Sequence, residues 1–258
     1  MSVRYIIQAR MSSTRLSGKV LMEIGQKPLI QHIIDRLLLS GANKSQIYFA
    51  LAVENSNELY KYLDKQNIQW ISGDTFNVLS RFIKTSQDLS EKDIIVRLTG
   101  DNPFIDFQIL KDNLKYFDTE TNLDFSFPFK LPLGMGFELF RKGAMIKQLE
   151  HDLLPHHLEH VTTFIKENKN LFNIKQIDYY KNSPDIRLTI DYPEDLKQAR
   201  DTYNFFSKQN LPYFCSSDVF NLYNANSNFF NINKSSRQKS PKEYAKDLIN
   251  HKKENNEQ

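Results

Sequence analysis

The sequence predicts an α/β fold: a mostly parallel, mixed sheet with helices on both of its faces. Three observations carry this expectation. Short apolar runs alternate with amphipathic stretches from Val3 to Tyr116. The first run is apolar without strict polar alternation, as in a strand covered on both faces. Polar loops follow two of the runs, in "QARMSSTRLSGK" and in "TGDNPFID". Ligands of such sheets bind beyond the carboxyl ends of the strands, so the two loops are expected to face one site.

The elements follow in order. Val3–Ala9 reads as the first buried strand. In "KPLIQHIIDRLLLSG", Leu29, Ile30, Ile33, Ile34, Leu37 and Leu38 form a helical stripe. Pro28 suits its first turn and Gly41 its C-terminal cap. Ile47–Val53 is the second strand, Asn57–Gln66 a helix, Ile68–Ser72 the third strand and Phe76–Ser86 a helix. Asp93–Leu98 is the fourth strand, and Phe104–Tyr116 is helical. After Asp118 the rhythm changes. Residues 124–142 hold two prolines, two glycines and alternating aromatics, which predicts antiparallel strands or a hairpin with Phe125, Phe127 and Phe129 on a buried face. His151–Asn168 reads as helix, Phe172–Asp178 as strand and Arg187–Asp191 as a further strand. The latter leads into "YPEDLKQARDTYNFF", a helix with Pro193 in its first turn. From Cys215 onward the chain is polar, with one helix expected around Pro241–His251 and a frayed tail.

Composition narrows the function classes. A chain of 258 residues with 40% hydrophobic and 25% charged residues can bury a sizeable core. A net charge of +3 is too small for nucleic-acid binding by bulk electrostatics. The single cysteine, Cys215, excludes an intrachain disulfide and a cysteine zinc cluster. No apolar run approaches the ~18 residues of a membrane span, and the N-terminal residues do not form a signal-peptide pattern. A cytoplasmic protein is expected, with no membrane and no nucleic-acid partner.

The first loop gathers Arg10, Ser12, Ser13, Thr14, Arg15, Gly18 and Lys19. Guanidinium forks, a lysine and the N–H groups of a small-residue loop suit a polyphosphate. It is not a P-loop, since Ser13 and Val20 stand at required positions, and one glycine does not make a dinucleotide fingerprint. On charge alone a solvated basic turn is an equal alternative, and placement directly after a buried strand favours function. Asp101 and Asp191 each end a strand-like run. Singly, Asp101 reads as a turn residue and Asp191 as part of a helix start. As a pair opposite a phosphate-type loop they read as ligands of Mg²⁺, an ion that takes oxygen donors.

The segments "QARMSSTRLSGKVL", "SGDTFNVLSRF", "VRLTGDNPFID", "EHVT" and "LTIDYPEDL" occur in one order from about Tyr5 to Leu196. In this they resemble the cytidylyltransferases of the spore-coat polysaccharide type, relatives of the acylneuraminate and 3-deoxy-octulosonate cytidylyltransferases. The resemblance implies a Rossmann-like nucleotidyltransferase fold with a small antiparallel hairpin or dimerisation insertion. It also implies CTP as donor, Mg²⁺, release of pyrophosphate, a sugar-type acceptor and a homodimer. Carried over by position, Arg10, Lys19 and Asp101 are catalytic. Ala9, Arg10, Met11, Ser12, Ser13, Arg15, Lys19, Arg81, Thr99 and Gly100 bind the nucleotide; Arg81 reads equally as a solvated helical charge. Asp101 and Asp191 hold the metal, and Glu138 and His160 face the acceptor. Residues 1–214 form the nucleotidyltransferase domain, with 124–185 its acceptor and dimerisation region, and 215–258 a polar extension.

The sequence departs from the family at Ser17, where proline is common, and at Leu133 and Gly136, where acids are common. An acidic acceptor needs a cation, and Lys130, Arg141 and Arg187 are candidates. His156, His157 and His160 read as surface or core features unless further ligands join them for zinc. Rival readings are a cytidylyltransferase for a phosphorylated or phosphonate acceptor, a nucleotide-binding relative without chemistry, and a nucleic-acid binder.

Overall fold

A computed structural model describes residues 1–13, 15–53 and 57–236. Thr14 and the helix expected around Pro241–His251 lie outside the described residues. The chain opens with β1 (Val3–Ala9), followed by the basic loop and a short antiparallel pair, β2 (Glu23–Ile24) and β3 (Lys27–Pro28). Then come α1 (Leu29–Leu39), β4 (Ile47–Ala52), α2 (Asn57–Lys65), β5 (Gln69–Gly73), α3 (Val78–Thr85), β6 (Ile94–Thr99) and α4 (Phe107–Thr119). The second half holds β7 (Phe125–Phe129), β8 (Glu138–Arg141), α5 (Lys142–Lys147), α6 (Pro155–His160), α7 (Thr163–Glu167), β9 (Ile174–Asp178), α8 (Pro193–Lys208) and α9 (Ser216–Ala225).

Seven strands form one mixed sheet in the order β5-β4-β1-β6-β8-β7-β9. β5, β4, β1 and β6 run parallel; β8 pairs antiparallel with β6 and with β7, and β9 is parallel to β7. The antiparallel pair expected in 124–142 is therefore hydrogen-bonded into the main sheet. Alternate residues serve opposite faces. Tyr5, Ile7, Phe49, Ile94, Val96 and Leu98 belong to one core cluster, which contains the apolar stripe of α1. Ile6, Ala50, Ile95, Phe125 and Phe140 belong to the other, with Phe82, Met145 and Ile165. Burial falls along β7, from Phe125 at 0% exposure to Phe129 at 44%.

Three expectations are corrected. The helix read over His151–Asn168 is two short helices, α6 and α7, separated at Val161, a buried residue with φ 54°. Residues 187–191 do not form a strand: Arg187 makes a single parallel bridge to Leu133. The segment after Cys215 is polar in composition, yet α9 and the turn after it bury Val219, Phe220, Leu222 and Phe230 in the first core cluster. Two buried polar groups fasten this segment. Asp106 caps α4 and also accepts from Ser216 N and Oγ at 2.7 and 2.6 Å. Arg36, 1% exposed, donates to the carbonyls of Phe214 and Ile105.

Candidate active site

The chain crosses from one half of the sheet to the other between β1 and β6, where a crevice opens at the carboxyl ends. A cavity of about 390 Å³ lies there. Its walls include Ala9, Arg10, Ser13, Arg15, Lys19, Arg81, Thr99, Gly100, Asp101, His160 and Asp191. The two polar loops, 82 residues apart at Lys19 and Asp101, thus meet at one place. Met11 and Ser12 do not line the cavity: Met11 packs against the core and Ser12 is exposed. The Met11 carbonyl accepts from Gly18 N at 2.9 Å and closes the loop. Gly18 sits at φ 69°, a conformation that glycine adopts without strain, and the turn of residues 19–21 starts directly after it.

Lys19 bridges the acids. Its Nζ donates to Asp191 Oδ1 at 2.9 Å, to the Ile190 carbonyl at 2.7 Å and to Asp101 Oδ2 at 3.4 Å. Arg15 Nη2 donates to the same Asp191 Oδ1 at 2.8 Å, and Arg187 Nη2 to Asp191 Oδ2 at 3.1 Å. Burial works to raise the Asp191 carboxyl, but Lys19, Arg15 and Arg187 hold it below the usual carboxylate range. Asp101 accepts from Thr99 Oγ1 at 2.5 Å, and its side chain keeps 29% exposure against 8% for Asp191. Asp101 is therefore the acid more open to a newcomer. The donor set is all oxygen, which fits Mg²⁺.

Arg81 is 3% exposed and donates to the carbonyls of Asp74 and Thr75. It braces the turn at that end of the cavity, where Thr75 and Val78 also line the wall. Arg187 is spent beneath Asp191, in a two-point pair with Asp195 at 2.8 and 3.0 Å. Arg141 is turned to the backbone carbonyls of Lys92 and Phe117, among others, at the opposite end of β6. Lys130 pairs with Asp178 on the surface and lines a neighbouring cavity of about 770 Å³.

Glu138 does not line this cavity; it lines the neighbouring one of about 770 Å³. It accepts from Arg97 Nη1 at 2.6 Å, from Thr162 Oγ1 at 2.7 Å and from Lys166 Nζ. Burial works against this carboxylate, but Lys166 and Arg97 hold its pKa down to about 2. Arg97 and Lys166 line the cavity. Sequence reasoning missed both. A charge inside the apolar run "IIVRLT" was a usable signal, since it demands a partner. His160 is pushed down to about 4 by burial and by Arg97, so it is neutral at pH 7.

The ligand atoms of His156, His157 and Glu167 lie within 4.8 Å of one another. His157 Nδ1 accepts from Leu154 N at 3.0 Å, which leaves the ring proton on Nε2, facing Glu167 Oε2 at 2.8 Å. That is the arrangement of a helix brace, not of two lone pairs turned to one metal. Among the described residues no helix is long and apolar enough to cross a membrane.

Residues 5–233 match the family described as cytidylyltransferase. A spore coat polysaccharide biosynthesis protein of Bacillus subtilis is 29% identical over 87% of this chain and 95% of its own. A 3-deoxy-manno-octulosonate cytidylyltransferase of Haemophilus influenzae is 34% identical over 46% of this chain and 47% of its own. Among solved structures, a cytidylyltransferase from Leptospira borgpetersenii superposes with a TM-score of 0.81 and 25% identity, covering 93% of this chain and 99% of that one. With the mixed sheet and the convergent loops, these findings identify the chain as a member of the cytidylyltransferase family and as a nucleotidyltransferase.

Proposed function

We propose that the protein transfers CMP from CTP to an acidic sugar of the nonulosonic type, with release of pyrophosphate, in the synthesis of a surface polysaccharide or related glycan. The observation that carries this reading is the meeting of Arg10, Arg15 and Lys19 with Asp101 and Asp191 around one cavity. The names of the relatives support a sugar acceptor. Residues 1–214 carry the catalysis in this reading, with 124–185 on the acceptor side and as the contact of a homodimer.

Arg10, Arg15 and Lys19 hold the triphosphate, and Ala9, Thr99 and Gly100 bring backbone close to the nucleotide. Arg81 keeps the turn at Asp74 and Thr75 in shape. Asp101 and Asp191 would hold Mg²⁺, which offsets negative charge on phosphate oxygens when bound. The acceptor hydroxyl gives up its proton to solvent, and its oxygen forms a bond to the α-phosphorus as the bond to pyrophosphate breaks. The side chains contribute position and charge neutralisation for this displacement. Lys19 is held in place by both acids before substrate arrives, so its ammonium needs little reorganisation.

The test is pyrophosphate release with CTP, Mg²⁺ and a panel of acidic, neutral and phosphorylated sugars, with ATP, GTP and UTP as controls. Release with CTP and an acidic sugar supports the reading. Absence of any CTP binding overturns the role of the basic loop. Unchanged turnover in Asp101→Asn removes that residue from the chemistry. A phosphorylated or phosphonate acceptor is a second reading, favoured by the cations Arg97 and Lys166 on the cavity wall, and the sugar phosphates of the panel test it.

A further inference from the structure

We infer that Glu138 is a positioning residue that holds Arg97 and Lys166 as a two-cation receptor for the anionic group of the acceptor. The inference rests on the reading that this cavity joins CTP to an anionic acceptor.

Geometry comes first. Arg97 on β6 and Glu138 on β8 are register partners across the antiparallel pair, so their side chains leave the sheet on one face. Lys166 reaches the same carboxylate from α7, and Thr162 from the junction that precedes it. That junction is the sharp break at Val161, a β-branched residue at φ 54°, where such residues are rarely found. The break turns the chain so that Thr162 and Lys166 both face Glu138.

Charge comes second. Two cations meet one carboxylate, so these three groups together carry one positive charge; Glu159 also lines the cavity. Arg97 spends Nη1 on Glu138 and Nε on Gln8 Oε1 at 3.1 Å, and its Nη2 has no hydrogen-bond partner among the described residues. Among the described residues Lys166 Nζ donates a hydrogen bond only to Glu138, and its side chain is 40% exposed. Both side chains border the nucleotide cavity. A buried glutamate needs one cation for neutrality; the second, the half-exposed lysine, also lies over the rings of Phe125 and Phe127 at 5.6 Å each, and its charge is surplus to the pairing. His160 beside them is uncharged at pH 7 and adds no charge of its own.

Position comes third. Arg97 lies two residues before Thr99 on the same face of β6, about 6.6 Å away along the strand. Arg97, Thr99 and Asp101 line one cavity, so an anion bound at Arg97 would share that cavity with the acids placed at the metal. Arg97 also borders the second cavity of about 770 Å³, where Phe127, Leu131 and Phe137 offer apolar walls for the body of the acceptor. The acceptor's anion is a carboxylate or a phosphate, and both suit a guanidinium beside an ammonium.

The test uses the full chain labelled with [¹⁵N]arginine and saturated with CTP, so that the triphosphate loop is filled. Acetate and inorganic phosphate are titrated as separate probes while the Arg97 Nε–H resonance is followed, assigned with Arg97→Lys. The expected result is a saturable shift of Arg97 with at least one probe, and the probe that binds more tightly names the anion class. In Lys166→Gln the apparent Kd rises about tenfold, the loss expected for one charge-assisted hydrogen bond. Glu138→Gln weakens the same titration; because that variant buries unbalanced cations, Lys166→Gln on the half-exposed helix is the primary arm. With an active acidic sugar, Arg97→Gln and Lys166→Gln raise the acceptor KM about tenfold and leave the CTP KM within twofold. An Arg97 resonance unmoved by both probes, or a Kd unchanged in Lys166→Gln, overturns the inference. Failure of the wild-type chain to bind CTP sinks the proposed function instead, and the anion titration, repeated without nucleotide, still decides for or against the receptor.

Discussion

Asp195→Ala removes the carboxylate on which the acid side of the site is mounted. Asp195 has a fully buried side chain. Its Oδ1 accepts from Arg187 Nε and from Asn233 Nδ2, each at 2.8 Å. Its Oδ2 accepts from Arg187 Nη2 at 3.0 Å, Asp191 N at 2.9 Å and Tyr192 N at 3.1 Å. Loss of one member of a buried pair costs about 3–5 kcal/mol, because the remaining charge is stranded. Arg187 keeps one bond, to Asp191 Oδ2. It then competes with Lys19 and Arg15 for that carboxylate, so nucleotide binding weakens together with stability. A native domain holds about 5–15 kcal/mol in total, so the variant loses a large share of it. With an m-value of about 3 kcal/mol/M, the urea midpoint falls by about 1–1.7 M. Urea unfolding followed by circular dichroism reads the first effect, and calorimetric titration of CTP reads the second. A midpoint shift below about 0.3 M would refute the reasoning, because it would mean that Arg187 finds equal compensation elsewhere.

Three other outcomes are expected. Deleting everything after Phe214 exposes the partners of Val219, Phe220, Leu222 and Phe230. At about 1.5–3 kcal/mol for each buried side chain the loss rivals the whole stability, and the truncated chain should show no cooperative thermal transition. Gly134→Ala places a Cβ 2.4 Å from Thr189 N at φ 99°; the strand-like bridge of Leu133 to Arg187 opens, and Tm falls by several degrees in calorimetry. His32 is buried against Tyr203 and held by the Ile24 carbonyl, and burial pushes it down to about 4. Its neutral form is favoured by folding, so the contribution is whole above pH 6.5 and is lost as pH falls from 6.5 toward 4. The unfolded chain binds the extra proton there, giving a slope of about 1.4 kcal/mol per pH unit from this group. Urea midpoints across that range should fall less steeply in His32→Gln, and equal slopes would count against the assignment.

Much of the first half was legible because local rules and tertiary packing agree there. Val3–Ala9 is an apolar run between polar residues, and it is an interior strand of the sheet. The stripe of Leu29 to Leu37 faces the core as its spacing requires. The basic loop and Asp101 were found from their places at strand ends, which the parallel sheet then brings together. The second half was less legible for definite reasons. Val161 breaks a helix with neither glycine nor proline to announce it. Residues 187–191 are apolar and polar by turns like a strand, but Arg187 is drawn to Asp195 and Asp191 and the backbone makes one bridge. Polar composition after Cys215 hides apolar residues that dock on a core built from distant segments. Arg97 and Glu138 are 41 positions apart, and strand register alone joins them.

The bond from Asn233 to Asp195 has a consequence for the birth of the protein. Asn233 is 1% exposed and also donates to the Arg187 carbonyl at 3.0 Å. A chain emerging from the ribosome displays the basic loop first, and Asp101 and Asp191 later. The brace beneath Asp191 stays incomplete until residue 233 has emerged. At about 5–20 residues per second the loop waits roughly 10–40 seconds for residue 233. During that interval the nascent protein carries a phosphate-type loop without a finished socket. An interrupted translation product would therefore not compete for the cell's nucleotide as a folded copy would. The last described turn of the chain closes this brace, and competence to bind follows the emergence of residue 233.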